Sequence, residues 1–279
     1  MARIRVVTDS ACDVPEEIAR RLNIDIVSLS IRFGDEEFTD RVDLSPSEFW
    51  AKCKASKTLP ETAAPSPGAF QAAYERAKND GCDGVIVITL SALLSATHQS
   101  AVLGAEAVKD SIEVRVVDSK AVSMAQGLMV IDVAELADTG ASLDELVNEA
   151  ESLITKVGVV AMLDTLEHLI KGGRVGGARA LLGQVLSIKP LLELKDGVVA
   201  EAGRQRTRAK ALVAIAEVTK GHAPLKRLAL VHGASSEVAA LEALVADVVT
   251  QKPIIVTDMG PVVGTHGGPG IIALCWIEA

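Results

Sequence analysis

Small hydroxyl and carboxyl side chains directly follow three short β-branched runs of the chain. They are Thr8-Asp9-Ser10, Thr89-Leu90-Ser91 with Ser95 shortly after it, and Asp118-Ser119. In an open parallel sheet, ligands bind outside the carboxyl ends of the strands, so chemistry is expected at these positions. Each hydroxyl could instead cap the helix that follows it. Three such turns together favour a shared polar site.

Two further segments add a hydroxyl and an imidazole. Residues 58–67 contain three prolines, which predict an extended, stiff loop that presents Thr62. Residues 260–270 contain five glycines and two prolines around His266, which predict a long loop that allows close approach of the backbone. A plain turn between two strands is the alternative. Hydroxyls and an imidazole recognise a carboxylate or phosphate through hydrogen bonds better than they cleave bonds.

Two basic segments interrupt an otherwise acidic chain. Residues 171–179 combine Lys171, Arg174 and Arg179 with four glycines, whose backbone N–H groups could cradle a phosphate. This segment lacks the Gly-Lys-Ser/Thr ending of a Walker loop, so it indicates a nucleotide site only weakly. Residues 204–208, Arg-Gln-Arg-Thr-Arg, could meet an anionic ligand or an acidic partner, or could form a solvated face with salt bridges.

Most catalytic and metal-binding patterns are missing from the sequence. It contains no Gly-x-Ser-x-Gly turn, no His-Glu-x-x-His pair and no acidic run typical of a metal site. The four cysteines are widely separated, which predicts neither a zinc cluster nor a disulfide framework. Asp9 and Asp13 could act as bases or metal ligands, although capping of tight turns explains them more simply. We therefore expect no metal, no cofactor and no catalytic residue.

The hydrophobic pattern predicts the scaffold for these residues, an α/β fold of two domains. β-branched runs that alternate with helical segments predict a parallel sheet in an N-terminal domain, residues 1–155. In the C-terminal domain, residues 156–279, Asp196-Gly197 between two apolar runs predicts an antiparallel hairpin in a mixed sheet. A cleft between the domains is the default ligand site. The predicted strands are residues 4–7, 24–29, 85–89, 114–117, 157–162, 228–232, 254–257 and 271–276, and the predicted helix N-caps are Ser45, Ser66 and Ser142.

Length and composition restrict the class of protein further. With 279 residues, 49% of them apolar and 23% charged, the chain can bury a full core, which excludes intrinsic disorder. A formal charge of −9 and only 3% aromatic residues argue against a nucleic-acid-binding surface. The polar N-terminus and the lack of an apolar run approaching about 18 residues predict neither a signal peptide nor a membrane span. We expect a cytoplasmic protein.

Taken together, the motifs resemble those of the DegV family of bacterial fatty-acid-binding proteins over essentially the whole chain. The resemblance implies a two-domain α/β fold that holds one long-chain fatty acid in an apolar tunnel between the domains. It implies no bond-making by the chain itself. Family members present the carboxylate to an ATP-dependent partner kinase related to dihydroxyacetone kinases, which forms an acyl phosphate for phospholipid synthesis. The motifs that carry the resemblance are Thr8-Asp9-Ser10 with Asp13, Thr62-Ala63-Ala64-Pro65-Ser66, Ser91-Ala92-Leu93-Leu94-Ser95-Ala96-Thr97, Asp118-Ser119, Lys171-Gly172-Gly173-Arg174 and Gly264-Thr265-His266-Gly267-Gly268-Pro269-Gly270.

The resemblance also implies roles for individual residues. Thr62, Ser95 and His266 would hydrogen-bond the carboxylate, with Ser91 as an alternative to Ser95. Arg174 would lie at the surface that faces the kinase. Transient contact with a membrane is expected of such a carrier.

Two motifs depart from the usual family pattern. Thr62-Ala63-Ala64-Pro65-Ser66 stands where the family has Thr-Ser-Gln-Pro-Ser, and Ser95-Ala96-Thr97-His98 stands where it has Ser-Gly-Thr-Tyr. The threonine, the serine and the proline that would shape the head-group site persist. The departures bear on the acyl-chain preference and on the pairing with a kinase.

The residues alone also allow a different class of protein, an enzyme acting on a small phosphate- or carboxylate-bearing metabolite. Asp9 or His266 would then serve as the base, and the glycine-rich segments would cradle the anion. The shape of the cavity separates the two hypotheses. A carrier needs an elongated apolar cavity that ends in polar groups, whereas such an enzyme needs a compact polar pocket open to water.

Overall fold

The structure, a computed structural model, describes residues 2–181 and 188–279. Strands and helices alternate along most of the chain, as the hydrophobic pattern predicts. The strands are β1 (Ile4–Asp9), β2 (Asp25–Val27), β3 (Ser30–Phe33), β4 (Glu36–Thr39), β5 (Glu61–Ala63), β6 (Gly84–Thr89), β7 (Glu113–Asp118), β8 (Val157–Met162), β9 (Lys189–Lys195), β10 (Val198–Gln205), β11 (Leu225–His232), β12 (Ile255–Asp258) and β13 (Ile272–Glu278). The helices are α1 (Glu16–Arg21), α2 (Pro46–Ala55), α3 (Pro67–Asn79), α4 (Thr97–Val108), α5 (Met124–Ala137), α6 (Leu143–Leu153), α7 (Glu167–Lys171), α8 (Arg208–Lys220), α9 (Val238–Leu244) and α10 (Pro261–Gly267). Short 3₁₀ helices span Ser10–Cys12 and Gly176–Leu181.

Three sheets organise these elements. The N-terminal half contains a parallel sheet in the order β2-β1-β6-β7. The C-terminal half contains a sheet in the order β10-β9-β8-β13-β11-β12, in which β11 and β12 pair in parallel and the other neighbours are antiparallel. A small antiparallel sheet, β4-β3-β5, lies beside the first. The predicted fold class, a parallel-sheet N-terminal domain and a mixed-sheet C-terminal domain, is confirmed.

Several local signals in the sequence produce the structure that they predict. Ser45 and Ser142 cap α2 and α6 through reciprocal capping boxes with the glutamate three residues later. The Ser66 hydroxyl caps α3. Asp196 and Gly197, both with positive φ, turn the chain between β9 and β10. These elements form as predicted because the interactions that specify them join residues close together in the sequence.

The predicted long loop over residues 260–270 is wrong, because most of it forms helix α10. Glycine is a poor helix former, but in this segment tertiary packing outweighs the low helix propensity. A Cβ atom on Gly264 would lie 2.8 Å from the Phe49 ring and 2.9 Å from the Trp50 ring, so glycine allows α10 to pack directly on α2. Pro261 occupies the first turn of α10, where its missing N–H leaves no hydrogen bond unmade.

Helix α5 joins the two halves of the molecule. It is buried along most of its length, as its mostly apolar sequence requires, and it packs against β1 and β6 on one side and β8, β11 and β13 on the other. Its single buried carboxylate, Asp132, forms an ion pair with Arg227 of β11. The two halves therefore share one core. Even this helix is too short to cross a membrane, and none of the others in residues 2–181 and 188–279 has the length and apolar character to do so.

Candidate functional site

A largely apolar cavity of about 130 Å³ lies between the two halves of the chain. One wall is formed by the C-terminal sheet, where β8, β9, β10 and β13 contribute Val159, Ala161, Leu192, Leu194, Val199 and Ala273. The opposite wall comes from the N-terminal half and contributes Leu29, Leu90, Leu94 and Val122. The predicted position of the ligand site, between the domains, is where this cavity lies.

Four of the five predicted site residues line this cavity, namely Thr62, Ser95, Arg174 and His266. Thr62 is held in β5, which pairs with β3, and His266 lies in the last turn of α10. The Thr62 Oγ1 and His266 Nε2 atoms are 2.9 Å apart although 204 positions separate the residues. The fold therefore brings the proline-rich and glycine-rich segments into direct contact.

The half-buried imidazole of His266 is neutral at physiological pH. Burial, followed by the nearby charges of Arg174 and His168, lowers its pKa to about 4. Its Nδ1 atom is buried and has no hydrogen-bond partner among the described residues. Because a buried donor without an acceptor is rarer than a buried acceptor without a donor, we assign the proton to Nε2. Nε2 then donates to Thr62 Oγ1, which leaves the Thr62 hydroxyl proton free for a ligand.

Arg174 supplies a positive charge to the lining of the cavity. It is half-buried, and its Nε donates to the Leu94 carbonyl at 3.1 Å while its Nη1 donates to the Gly172 carbonyl at 2.6 Å. In the described part of the chain, no hydrogen bond uses its Nη2. A fixed guanidinium with unused donors beside a hydroxyl and a neutral imidazole suits a carboxylate or phosphate. The resemblance implies a surface position facing a partner; the side chain contributes to the cavity lining and is also partly exposed.

The two serines proposed as alternatives have different surroundings. Ser95 lines the cavity, and its Oγ lies 2.9 Å from Thr97 Oγ1 at the start of α4. Ser91 is buried outside the cavity lining, and its hydroxyl donates to the carbonyl of Gly197 at 2.7 Å. The donor capacity of Ser91 is thus committed to the tip of the β9-β10 hairpin. Of the pair, only Ser95 can meet a ligand in this geometry.

Sequence reasoning missed Ser123, which also lines the cavity. Its backbone has the unusual φ of 58° and its hydroxyl donates to Asp13 at 2.6 Å. Asp13 also accepts from the N–H of Gly260, the residue that precedes α10. Burial raises the pKa of Asp13 to about 7, against the effect of these two hydrogen bonds. The sequence around Ser123, a serine between Val122 and Met124, does not indicate that it lines a cavity. Its place there results from its backbone conformation and from the packing of the fold.

Other candidate residues have structural partners instead of an open site. Asp9 accepts hydrogen bonds from the N–H groups of Ala11 and Leu90, which is the turn-capping role expected of it. Arg208 of the second basic segment forms ion pairs with Asp164 and Glu237. In the described ranges, no group of three or more His, Cys, Asp or Glu side chains is arranged to hold a metal ion.

Similarity to known proteins extends over the whole chain. Residues 3–279 match a family model described as "Uncharacterised protein, DegV family". A DegV domain-containing protein of Listeria monocytogenes is 32% identical over an alignment of 280 positions that covers 98% of each chain. A DegV family protein from Thermus thermophilus, whose solved structure is described by its fatty acid binding, has a TM-score of 0.91 and 34% identity, with coverage of 99% of this chain and 100% of that one. DegV of Bacillus subtilis, solved as a fatty acid binding protein, has a TM-score of 0.88 and 31% identity, with full coverage of both chains. The chain belongs to the DegV family.

Proposed function

We propose that this protein binds one long-chain fatty acid, with its acyl chain in the cavity and its carboxylate held by Thr62, Ser95, His266 and Arg174. The observation that carries the proposal is the distribution of polarity in the cavity. Aliphatic side chains from both halves form most of the lining, and these four polar residues are linked to one another or lie close together. An apolar cavity with a few convergent polar groups matches an amphiphile that has a single head group.

The polar residues form two hydrogen-bonded groups in the cavity lining, and both fit an ionised carboxylate. Thr62 is bonded to His266, and Arg174 is bonded to the Leu94 carbonyl next to Ser95. The Thr62 and Ser95 hydroxyls and the Arg174 Nη2 group are all able to donate. A neutral His266 leaves Arg174 as the one cation among these four residues, so a single carboxylate meets a single guanidinium, while the acidic residue of the lining, Glu193, belongs to the β9 wall. Relatives from Thermus thermophilus and Bacillus subtilis that are described as fatty-acid-binding proteins support this choice of ligand.

The bound lipid is expected to be passed on to a partner protein. We infer, as the family resemblance implies, that the protein acts as a carrier whose bound carboxylate is phosphorylated by a partner, an ATP-dependent kinase related to dihydroxyacetone kinases. Arg174 supports this step, since it is in the cavity lining and is still partly exposed, where a partner could approach it. Transient contact with a membrane would then allow lipid to be exchanged. Acyl-phosphate formation from ATP and the lipid-loaded protein, with such a kinase present, tests this part.

The alternative, an enzyme for a small phosphate- or carboxylate-bearing metabolite, is less well supported. Such a ligand would leave the aliphatic walls of the cavity in contact with water, which is unfavourable. Asp9, the suggested base, is fully buried and outside the cavity lining, where it is bonded to backbone N–H groups. His266 has a pKa of about 4, which makes it a weak base.

A matched pair of threonine variants tests the head-group site. Thr62→Val keeps the shape of the side chain and removes the hydroxyl, and we expect it to weaken fatty-acid binding by about tenfold or more, as for the loss of a hydrogen bond to a charged group. Thr58→Val changes an exposed threonine of the same segment that lies outside the cavity lining, and it should bind as the wild type does. Titration of lipid-free protein with a fluorescent fatty acid measures both. Equal affinities of the two variants would contradict the proposed site.

A further inference from the structure

Gly172, at the end of helix α7, packs against the ring of His266. A Cβ atom at this position would overlap Nδ1 of the imidazole and would lie 2.9 Å from its Cε1 atom and 3.1 Å from the carbonyl oxygen of His168. The backbone of Gly172 has φ −73° and ψ −10°, an ordinary helical conformation that any residue adopts. Space, and not backbone freedom, is therefore the reason that this position holds glycine.

The neighbouring Gly173 has the opposite requirement. Its φ is +73°, in the left-handed region, and a Cβ atom there would meet no atom within 4 Å. Asparagine tolerates this conformation better than most residues. The two adjacent glycines therefore separate the effect of a steric contact with His266 from the general effect of replacing a glycine in this segment.

The imidazole depends on this packing because it has only one hydrogen-bond anchor. Nε2 contacts Thr62, whereas Nδ1 is buried without a partner among the described residues. A single hydrogen bond leaves the ring free to rotate about its side-chain torsions. The close contact with Gly172 restricts that rotation, since little room remains on the Nδ1 side of the ring.

The same residue also holds the guanidinium of the cavity. The carbonyl of Gly172 accepts from Nη1 of Arg174 at 2.6 Å, and its N–H donates to the carbonyl of His168 at 2.9 Å, which fixes the residue to α7. One backbone unit thus contacts the imidazole through its Cα and the guanidinium through its carbonyl. Displacement of Gly172 would alter both groups together.

We propose that Gly172 is a positioning residue that sets the ring of His266 against Thr62 and so orients the Thr62 hydroxyl toward the bound carboxylate. This inference rests on the proposed fatty-acid function for its effect on affinity, but the contact itself exists without a ligand. Gly172→Ala forces the ring or the end of α7 to move. Gly173→Asn changes the adjacent glycine and leaves the contact intact.

The test combines two readouts on full-length, lipid-free protein. The imidazole resonances of His266, assigned by their loss in His266→Ala, report ring environment and tautomer by NMR. We expect Gly172→Ala to shift them and Gly173→Asn to leave them at their wild-type positions. Titration with oleate should show about tenfold weaker binding for Gly172→Ala, as for one lost hydrogen bond to a charged group. In a His266→Ala background, Gly172→Ala should add no further loss, because the contact that it disturbs is already gone.

Different results would overturn the two proposals separately. Unchanged His266 resonances in Gly172→Ala, or an equal loss of affinity with and without the His266 side chain, would contradict the positioning role. Absence of oleate binding by the wild-type protein would contradict the proposed function, and the NMR comparison would then decide the positioning role alone. A thermal unfolding midpoint of lipid-free Gly172→Ala well above the titration temperature shows that the change in affinity belongs to the folded protein.

Discussion

The hydroxyl of Ser91 donates to the carbonyl oxygen of Gly197 at 2.7 Å, which ties the N-terminal half of the protein to the tip of the β9-β10 hairpin. The two residues are 106 positions apart, and the contact is tight enough that a Cβ atom on Gly197 would lie 2.7 Å from Ser91 Oγ. The hairpin carries Leu192, Leu194 and Val199 of the cavity wall. This hydrogen bond therefore anchors the hairpin, and with it part of the cavity wall, to the N-terminal half.

Ser91→Ala is expected to speed the release of a bound fatty acid. The variant leaves the Gly197 carbonyl buried without its donor, which costs about 1–3 kcal/mol, and opening of the hairpin tip relieves that cost by exposing the carbonyl to water. The dissociation rate, measured by transfer of a fluorescent fatty acid to an acceptor, should rise by about tenfold.

Ser119→Ala is the control for this prediction. Ser119 also has a buried hydroxyl, but this hydroxyl bonds to the backbone of Ala121 and makes no bond to the hairpin. Its release rate should match that of the wild type. If Ser91→Ala releases lipid no faster than Ser119→Ala does, the hairpin tip has no role in retention.

Arg174→Ala is expected to weaken binding of a fatty acid while sparing a fatty alcohol of the same chain length. The guanidinium recognises the charge of the head group, and hydrogen bonds to charged groups contribute about 1.5–3 kcal/mol, or roughly tenfold to a hundredfold in affinity. Calorimetric titration with both ligands measures the preference. Arg179→Ala, an exposed arginine of the same segment outside the cavity lining, serves as the control. If Arg174→Ala binds the fatty acid as tightly as the wild type does, Arg174 does not hold the carboxylate, and only the partner-facing role that the family resemblance implies would be left.

The lipid-free protein is expected to lose stability in acid through His266. Its folded pKa of about 4 lies below the ordinary value of 6.5, so the unfolded chain binds the proton more tightly. The resulting contribution is present above pH 6.5 and is lost as the pH falls toward 4, by at most about 3 kcal/mol. Denaturant unfolding between pH 7 and 4 should therefore show a smaller loss for His266→Gln than for the wild type.

Wild type and His266→Gln must be compared because buried carboxyl groups change the free energy of unfolding with pH in the direction opposite to His266. Burial raises the pKa of Asp9 and Asp40 to about 6 and that of Asp13 to about 7, so their contribution is lost as the pH rises through those values. These groups are common to wild type and variant and cancel in the difference. Parallel pH profiles for the two proteins would mean that His266 titrates normally in the folded state.

The sequence predicts the elements of this fold better than it predicts their contacts. Capping serines such as Ser45 and the Asp196-Gly197 turn act within a few residues, and their structures form as expected. Helix α10 is not predicted because the reason for its glycine Gly264 is close packing against α2, which only the tertiary structure shows. The small sheet β4-β3-β5 escapes it too, since its strands are only three or four residues long.

In the candidate site, too, the sequence indicates residues better than it indicates their contacts. Residue type and motif order identify Thr62 and His266 as partners in one polar site, and the fold brings them within 2.9 Å. The choice between Ser91 and Ser95 depends on which hydroxyl the hairpin occupies, and local sequence carries no information about that. Ser123 gives no signal at all, since its position in the cavity depends on its unusual backbone conformation.

Native mass spectrometry of freshly purified protein, followed by denaturing extraction and identification of the released molecules, tests whether the protein carries a fatty acid. We expect one fatty acid per chain and a mass shift that disappears on denaturation. We also expect the lipid to be depleted in Thr62→Val relative to Thr58→Val. A protein that carries no lipid and takes up no added fatty acid would contradict the fatty-acid-binding function and would favour a small-metabolite enzyme.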